Sequence, residues 1–181
     1  MDTVGKQRWL CICKDRSEDT VRFWKACVHG DERTALVLMN MLRVDPAEDD
    51  DRALLLAAEF GHCNIMQWLI RHPFVDMDRY GQASDGLESP LALAASKGQR
   101  KMVEMLLKDK RIDPMWCNND ALVRAVQSGS LNCVKLLVAD PRVDPSVPGN
   151  EALLNAEEFG FEEIVTELRK DARIRLIRGR D

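Results

Sequence analysis

The stretch Leu91-Ala92-Leu93-Ala94-Ala95-Ser96-Lys97-Gly98 contains a pattern that occurs five times in this 181-residue chain. In each copy a large apolar residue stands seven positions before a glycine, and an alanine stands four positions before it. The copies are Phe23-Ala26-Gly30, Leu54-Ala57-Gly61, Leu91-Ala94-Gly98, Leu122-Ala125-Gly129 and Leu153-Ala156-Gly160. Successive glycines lie 31, 37, 31 and 31 residues apart. A repeat of this length predicts a solenoid whose units pack against their neighbours.

Each copy predicts a helix that ends at its glycine. The large apolar residue and the alanine are three positions apart, so both lie on one face of a helix. Glycine ends a helix readily because it adopts the left-handed conformation without a Cβ. A second apolar series follows the glycine, for example Ile65, Met66 and Leu69, and predicts a second helix. The sequence Val143-Asp144-Pro145 and its relatives then predict an extended connection between units, which we call a finger loop.

These features resemble the ankyrin-repeat family over about residues 20–175. The segment Ser89-Pro90-Leu91-Ala92-Leu93-Ala94-Ala95 is similar to the family's helix-opening phrase T-P-L-H-x-A-A, and Gly61-His62 is similar to its G-H turn. The resemblance implies an all-α, ankyrin-like solenoid of stacked helix-turn-helix repeats joined by short extended finger loops. Tetratricopeptide and HEAT-type repeats have longer usual periods and lack this spacing of alanine and glycine.

The chain departs from the family's pattern in the helix-opening phrase and in the ending of the unit, where Asp140-Pro141-Arg142-Val143-Asp144-Pro145 and its relatives replace G-A-D-V-N. The place of the His in T-P-L-H is taken by Trp24, Leu55, Ala92, Val123 or Leu154. The hydrogen bonds that this His and its Thr make between repeats are therefore mostly absent.

The pattern predicts one elongated repeat domain over residues 20–175, with units near 20–49, 50–86, 87–117, 118–148 and 149–175. Residues 1–19 are interpreted as an N-terminal capping segment, because the apolar run Trp9-Leu10-Cys11-Ile12-Cys13 would cover the open edge of the first unit; a short linear motif for a partner is the alternative. Residues 176–181 are a basic C-terminal tail. In the last unit the polar Glu167 and Arg169 replace apolar residues, as expected of a terminal repeat.

Composition narrows the classes of function. The net charge is −4, which argues against nucleic acid as the partner. No apolar stretch approaches the roughly 18–20 residues that span a bilayer. The first residues lack the basic-then-apolar layout of a secretory signal, so the predicted location is the cytoplasm or the nucleus.

The reactive side chains predict no catalytic, cofactor or metal site. The six cysteines include Cys133, which occupies an apolar helix position and is interpreted as a core residue. Cys11 and Cys13 are closer together than common zinc ligands, and the three histidines are scattered among different units. No phosphate-binding, metalloprotease or serine-hydrolase motif occurs. We therefore predict that the chain is not an enzyme.

The resemblance implies that another protein binds the concave face, which consists of the finger tips and the exposed edge of each first helix. An insertion at residues 79–88 lengthens the interval from Asp76 to Gly98 to 22 residues, against 16 in the equivalent intervals. Insertions in repeat arrays often lie on the binding face. The candidate contacts are Glu59, Phe60, Tyr80, Lys97, Trp116, Gln127 and Phe159; for the aromatic rings, packing back onto neighbouring units is the alternative.

These features predict a non-catalytic module for protein–protein interaction. One alternative is a structural subunit of a larger assembly. Another is a binder of anionic partners or nucleic acid through the basic C-terminal tail.

Overall fold

The computed structural model describes residues 17–41, 44–77 and 89–177, and within these ranges it contains helices and no strand. The helices, in chain order, are α1 (Glu18–His29), α2 (Glu32–Asn40), α3 (Glu48–Phe60), α4 (Cys63–Leu69), α5 (Pro90–Ser96), α6 (Arg100–Leu107), α7 (Trp116–Gln127), α8 (Leu131–Ala139), α9 (Glu151–Glu158), α10 (Glu162–Leu168) and α11 (Ala172–Ile177). The prediction of an all-α fold is confirmed.

The helices form pairs that stack in two layers. The first helices α1, α3, α5, α7 and α9 pack one against the next, and the second helices α2, α4, α6, α8 and α10 do the same. Each first helix also packs against the second helix of its own pair. Because each pair contacts mainly its neighbours, the described helices form a solenoid. The exact unit boundaries within it stay a prediction.

The repeated apolar residues form the interior of the stack. Leu54, Leu91, Leu122 and Leu153 are each at most 2% exposed, and the alanines of the same four copies are fully buried. Alanine lies where successive first helices meet, and a larger side chain at that contact would hold the helices apart. The pattern read from the sequence is therefore the packing pattern of the core.

The residue after each glycine covers the glycine of the preceding pair. A Cβ built on Gly30 would lie 2.6 Å from the His62 ring, and one on Gly98 would lie 2.6 Å from Ser130 Oγ. Gln99 covers Gly61 in the same way. Gly30, Gly61 and Gly98 are thus favoured by contact between units as well as by the turn.

A buried polar residue stands ten positions before the glycine in the described units. The residues at this position are Thr20, Asp51, Asn119 and Asn150, and each is less than 9% exposed. Asn119 Nδ2 donates to the backbone oxygens of Asp144 and Val147, at 2.6 and 2.7 Å, in the next finger loop. The burial of this position is not predicted from the sequence, although a polar residue stands ten positions before each of the five repeat glycines.

Arginines in the finger loops connect neighbouring units. The Arg142 guanidinium lies 2.7 Å from Asp140 Oδ2 and donates to the backbone oxygens of Ile112 and Leu107 in the preceding unit, at 2.9 and 2.7 Å. Arg111 repeats the arrangement with Asp109 and the Ile70 oxygen. These bonds link units in a chain that lacks the His of the resembled phrase.

We expect acid to weaken these arginine links. The hydrogen bond from the Arg142 side chain holds the pKa of Asp140 below its usual value, and Arg111 does the same for Asp109. A carboxylate with a depressed pKa in the folded state stabilises the protein above its unfolded pKa of about 3.9. That contribution is lost as the pH falls through the lower, folded-state pKa.

The measurement is thermal unfolding of wild type and Asp140→Asn at about pH 6 and about pH 3. Asp140→Asn should melt below wild type at the higher pH, because it loses the paired carboxylate. The gap between the two melting temperatures should narrow at the lower pH. An equal gap at both pH values would contradict the role of the charged Asp140.

The last helix pair carries an ion pair where the other pairs carry apolar contacts. Arg169 Nη2 lies 2.7 Å from Glu157 Oε1. The residues at the same two positions of the preceding pairs are Cys27 and Met39, Ala58 and Ile70, Ala95 and Leu107, and Val126 and Val138. The polar pair therefore ends the apolar interior of the stack.

Candidate functional site

One exposed residue precedes the glycine turn in every helix pair. Because the five first helices stack and each ends at its glycine turn, these residues lie at the same point of successive pairs. We call this line of side chains the turn row. Its members are His29, Phe60, Lys97, Ser128 and Phe159, and all are exposed.

Two members of the turn row are aromatic. Phe60 is 39% exposed and Phe159 is 50% exposed, so a large part of each ring faces solvent. Exposed aromatic rings that are surrounded by polar residues are typical anchors of protein interfaces. The structure therefore leaves both predicted aromatic contacts accessible to a partner.

Polar residues surround the aromatic members of the row. Lys97 Nζ lies 3.3 Å from Glu59 Oε1, and this partly exposed ion pair joins two neighbouring helix pairs. Gln127 is exposed beside Ser128. The hydroxyl of Ser128 donates to the backbone oxygen of Ala125 at 3.0 Å. The predicted contacts Glu59, Lys97 and Gln127 thus lie along one edge with the two phenylalanines.

Trp116 does not fit the prediction of an exposed anchor. Its side chain is only 8% exposed, at the start of α7. Only a small part of the ring can reach a partner. Tyr80 and the insertion at 79–88 lie outside the described residues, as do the run Trp9–Cys13 and the final residues 178–181.

Two of the described cysteines, Cys27 and Cys133, are buried. Burial raises the pKa of the Cys27 thiol to about 12, and burial also raises the pKa of Cys133. Both thiols therefore stay protonated at neutral pH, and the thiolate is the nucleophilic form. Among the described residues, no group of three or more His, Cys, Asp or Glu side chains is placed to hold a metal ion.

Length and apolar character decide whether a helix can span a membrane. None in the described ranges is both long and apolar enough to cross a bilayer. The longest described helices, α1, α3 and α7, have 12 or 13 residues and carry charged side chains.

A family model described as ankyrin repeats (3 copies) matches residues 23–115 and residues 91–177. The chain belongs to the ankyrin-repeat family. A search of curated proteins found no match. Ankyrin repeats are generally protein–protein interaction modules and are typically non-catalytic. In this ankyrin-repeat chain, the turn row is an exposed line that carries three of the seven predicted partner contacts, Phe60, Lys97 and Phe159.

Proposed function

We propose that this ankyrin-repeat chain is a non-catalytic module that binds a partner protein along the turn row. The exposure of Phe60 and Phe159 on that row carries the proposal. The ion pair of Lys97 with Glu59 and the exposed Gln127 supply a polar rim around them. Interfaces concentrate binding energy in a few aromatic anchors inside such a rim.

The shared position of the two phenylalanines favours binding of a specific partner over non-specific hydrophobic association. Single exposed apolar residues are common on protein surfaces and need no partner. Here both phenylalanines occupy one register of the repeat, where the other helix pairs carry His29, Lys97 and Ser128. The stacking needs no aromatic residue there, since three of the five pairs do without one.

The three basic residues just before the C-terminal tail give little support to an anionic partner. Arg169 pairs with Glu157, Lys170 with Glu167 and Arg173 with Asp171, each at 2.7 Å. Their charges are therefore largely compensated within the chain. Nucleic-acid binding would need cations that can neutralise phosphates.

The proposal is tested by affinity capture followed by titration of the captured partner. Each phenylalanine is expected to contribute about 2 kcal/mol, so either Phe60→Ala or Phe159→Ala should weaken binding about 30-fold. Both rings are well exposed, so the melting temperature should change little.

Phe74→Ala is the matched control. Phe74 is 60% exposed, but it follows the C-terminal end of α4, away from the glycine turns. This variant should bind the partner as wild type does. An equal loss of affinity in all three variants would indicate non-specific hydrophobic binding. No loss of affinity in any of them would overturn the proposal.

A further inference from the structure

A shallow groove lies where the glycine turns of the last two helix pairs meet. Its volume is about 220 Å³, and its lining includes Leu131, Phe161, Glu162 and Glu163. The Phe161 ring forms one wall, because it packs over Gly129 at 3.3 Å from a Cβ built there. The half-exposed Phe159 ring lies beside it, with ring centroids 5.9 Å apart. The groove therefore offers an aromatic wall at the end of the turn row.

The aromatic pair is not required by the fold. The residues that flank the other glycines are His29 and Asp31, Phe60 and His62, Lys97 and Gln99, and Ser128 and Ser130. Those turns form the same structure with at most one phenylalanine. The last turn alone, among these five, has phenylalanine on both sides. The fold thus leaves the chemistry at these positions free for recognition.

The groove has an acidic side, because Glu162 and Glu163 line it and Glu158 lies just before the same glycine turn. Glu158, Glu162 and Glu163 are exposed, and none of them forms an ion pair with a described residue. The start of α10 favours Glu162 and Glu163 through the helix dipole. The dipole cannot account for Glu158, which is the last residue of α9, where a negative charge is disfavoured. The third helix pair carries Arg100 and Lys101 at the positions of Glu162 and Glu163, so the fold does not demand this sign of charge.

We propose that this groove binds a basic and apolar segment of the partner protein. A large apolar side chain of that segment packs against Phe159 and Phe161. Neighbouring Lys or Arg side chains pair with Glu158, Glu162 and Glu163. Opposite charge around an aromatic anchor gives both orientation and specificity. The inference rests on the proposed function, because it names the chemistry of the segment that one end of the turn row accepts.

The test is a selection of random peptides displayed on phage against the whole chain. We expect enriched peptides to carry a large apolar residue with Lys or Arg nearby. A synthetic peptide of the enriched sequence should bind the wild-type protein at least about tenfold more tightly than it binds the Phe159→Ala variant. The combined variant Glu158→Gln/Glu162→Gln/Glu163→Gln should also weaken binding and reduce its dependence on salt.

Two control variants substitute the same residue types at positions outside the groove. Glu151→Gln changes an exposed glutamate at the opposite end of α9, and Phe74→Ala changes an exposed ring on another helix pair. Both should bind the peptide as wild type does. Enrichment of no peptide family, or of one without basic residues, would overturn the inference.

The same titrations separate this inference from the proposed function. A peptide whose affinity falls with Phe60→Ala but not with Phe159→Ala would place binding on the turn row outside the groove. That result would overturn the groove and leave the proposed function standing. A captured partner that is indifferent to both variants would instead overturn the proposed function.

Discussion

Leu122→Ala is expected to lower the free energy of unfolding by about 2–5 kcal/mol. Leu122 is fully buried in α7, and α7 packs against both α5 and α9. The shorter side chain loses apolar contacts and leaves a cavity, because the helices on either side are held by their own neighbours. Urea unfolding followed by circular dichroism measures the change in the free energy of unfolding.

Leu154→Ala is the matched control for this prediction. Leu154 is 56% exposed on α9, so the same substitution should change stability by about 0.5 kcal/mol or less. Equal effects of Leu122→Ala and Leu154→Ala would contradict the assignment of the core. The comparison tests the register of the repeat directly, since both leucines belong to first helices.

Gly30→Ala is expected to lower the free energy of unfolding by about 2–4 kcal/mol, which combines backbone strain with overpacking. Gly30 has a φ of 72°, in the left-handed region, where a side chain costs about 1 kcal/mol. The new Cβ would also lie 2.6 Å from the His62 ring. His62 is restrained because its Nε2 lies 2.9 Å from the Val28 oxygen. Thermal and urea unfolding of the same samples give the change.

Gly160→Ala separates the two costs. Gly160 has nearly the same φ, 71°, but a Cβ built there meets nothing within 4 Å. We expect this substitution to cost about 1 kcal/mol, from the backbone alone. The double variant Gly30→Ala/His62→Ala should lose less stability than the sum of its single changes. Additive losses, or equal costs at the two glycines, would rule out His62 as the covering residue.

Units that share one backbone conformation differ in the side chains beside their glycine turns. The glycine turns have similar conformations, yet their flanking residues range from Lys97 and Gln99 to Phe159 and Phe161. Residues that maintain the stack repeat from unit to unit, whereas residues that recognise a partner are free to vary. This contrast is the ground on which we propose Phe60, Phe159 and Phe161 as recognition residues.

The sequence predicted the exposure of two candidate aromatic residues but not the burial of a third. Phe60 and Phe159 were expected to be accessible from their place just before a glycine, and both rings are exposed. Trp116 was expected on the same grounds of residue type and loop position, yet it is 8% exposed. Residue type does not determine exposure, because exposure depends on which neighbouring unit lies over the ring.

The sequence by itself determined the helix pairs, the glycine turns and the apolar interior, because these follow from local spacing along one chain. An alanine four residues before a glycine lies on a predictable helix face wherever the unit is placed. Only the tertiary structure decided that Asn119 bonds to the finger loop that follows its helix pair and that Arg142 bonds to the preceding unit. It also decided that Phe161, Glu162 and Glu163 line one groove. Those arrangements depend on distances between stacked units, which the spacing within one unit does not contain.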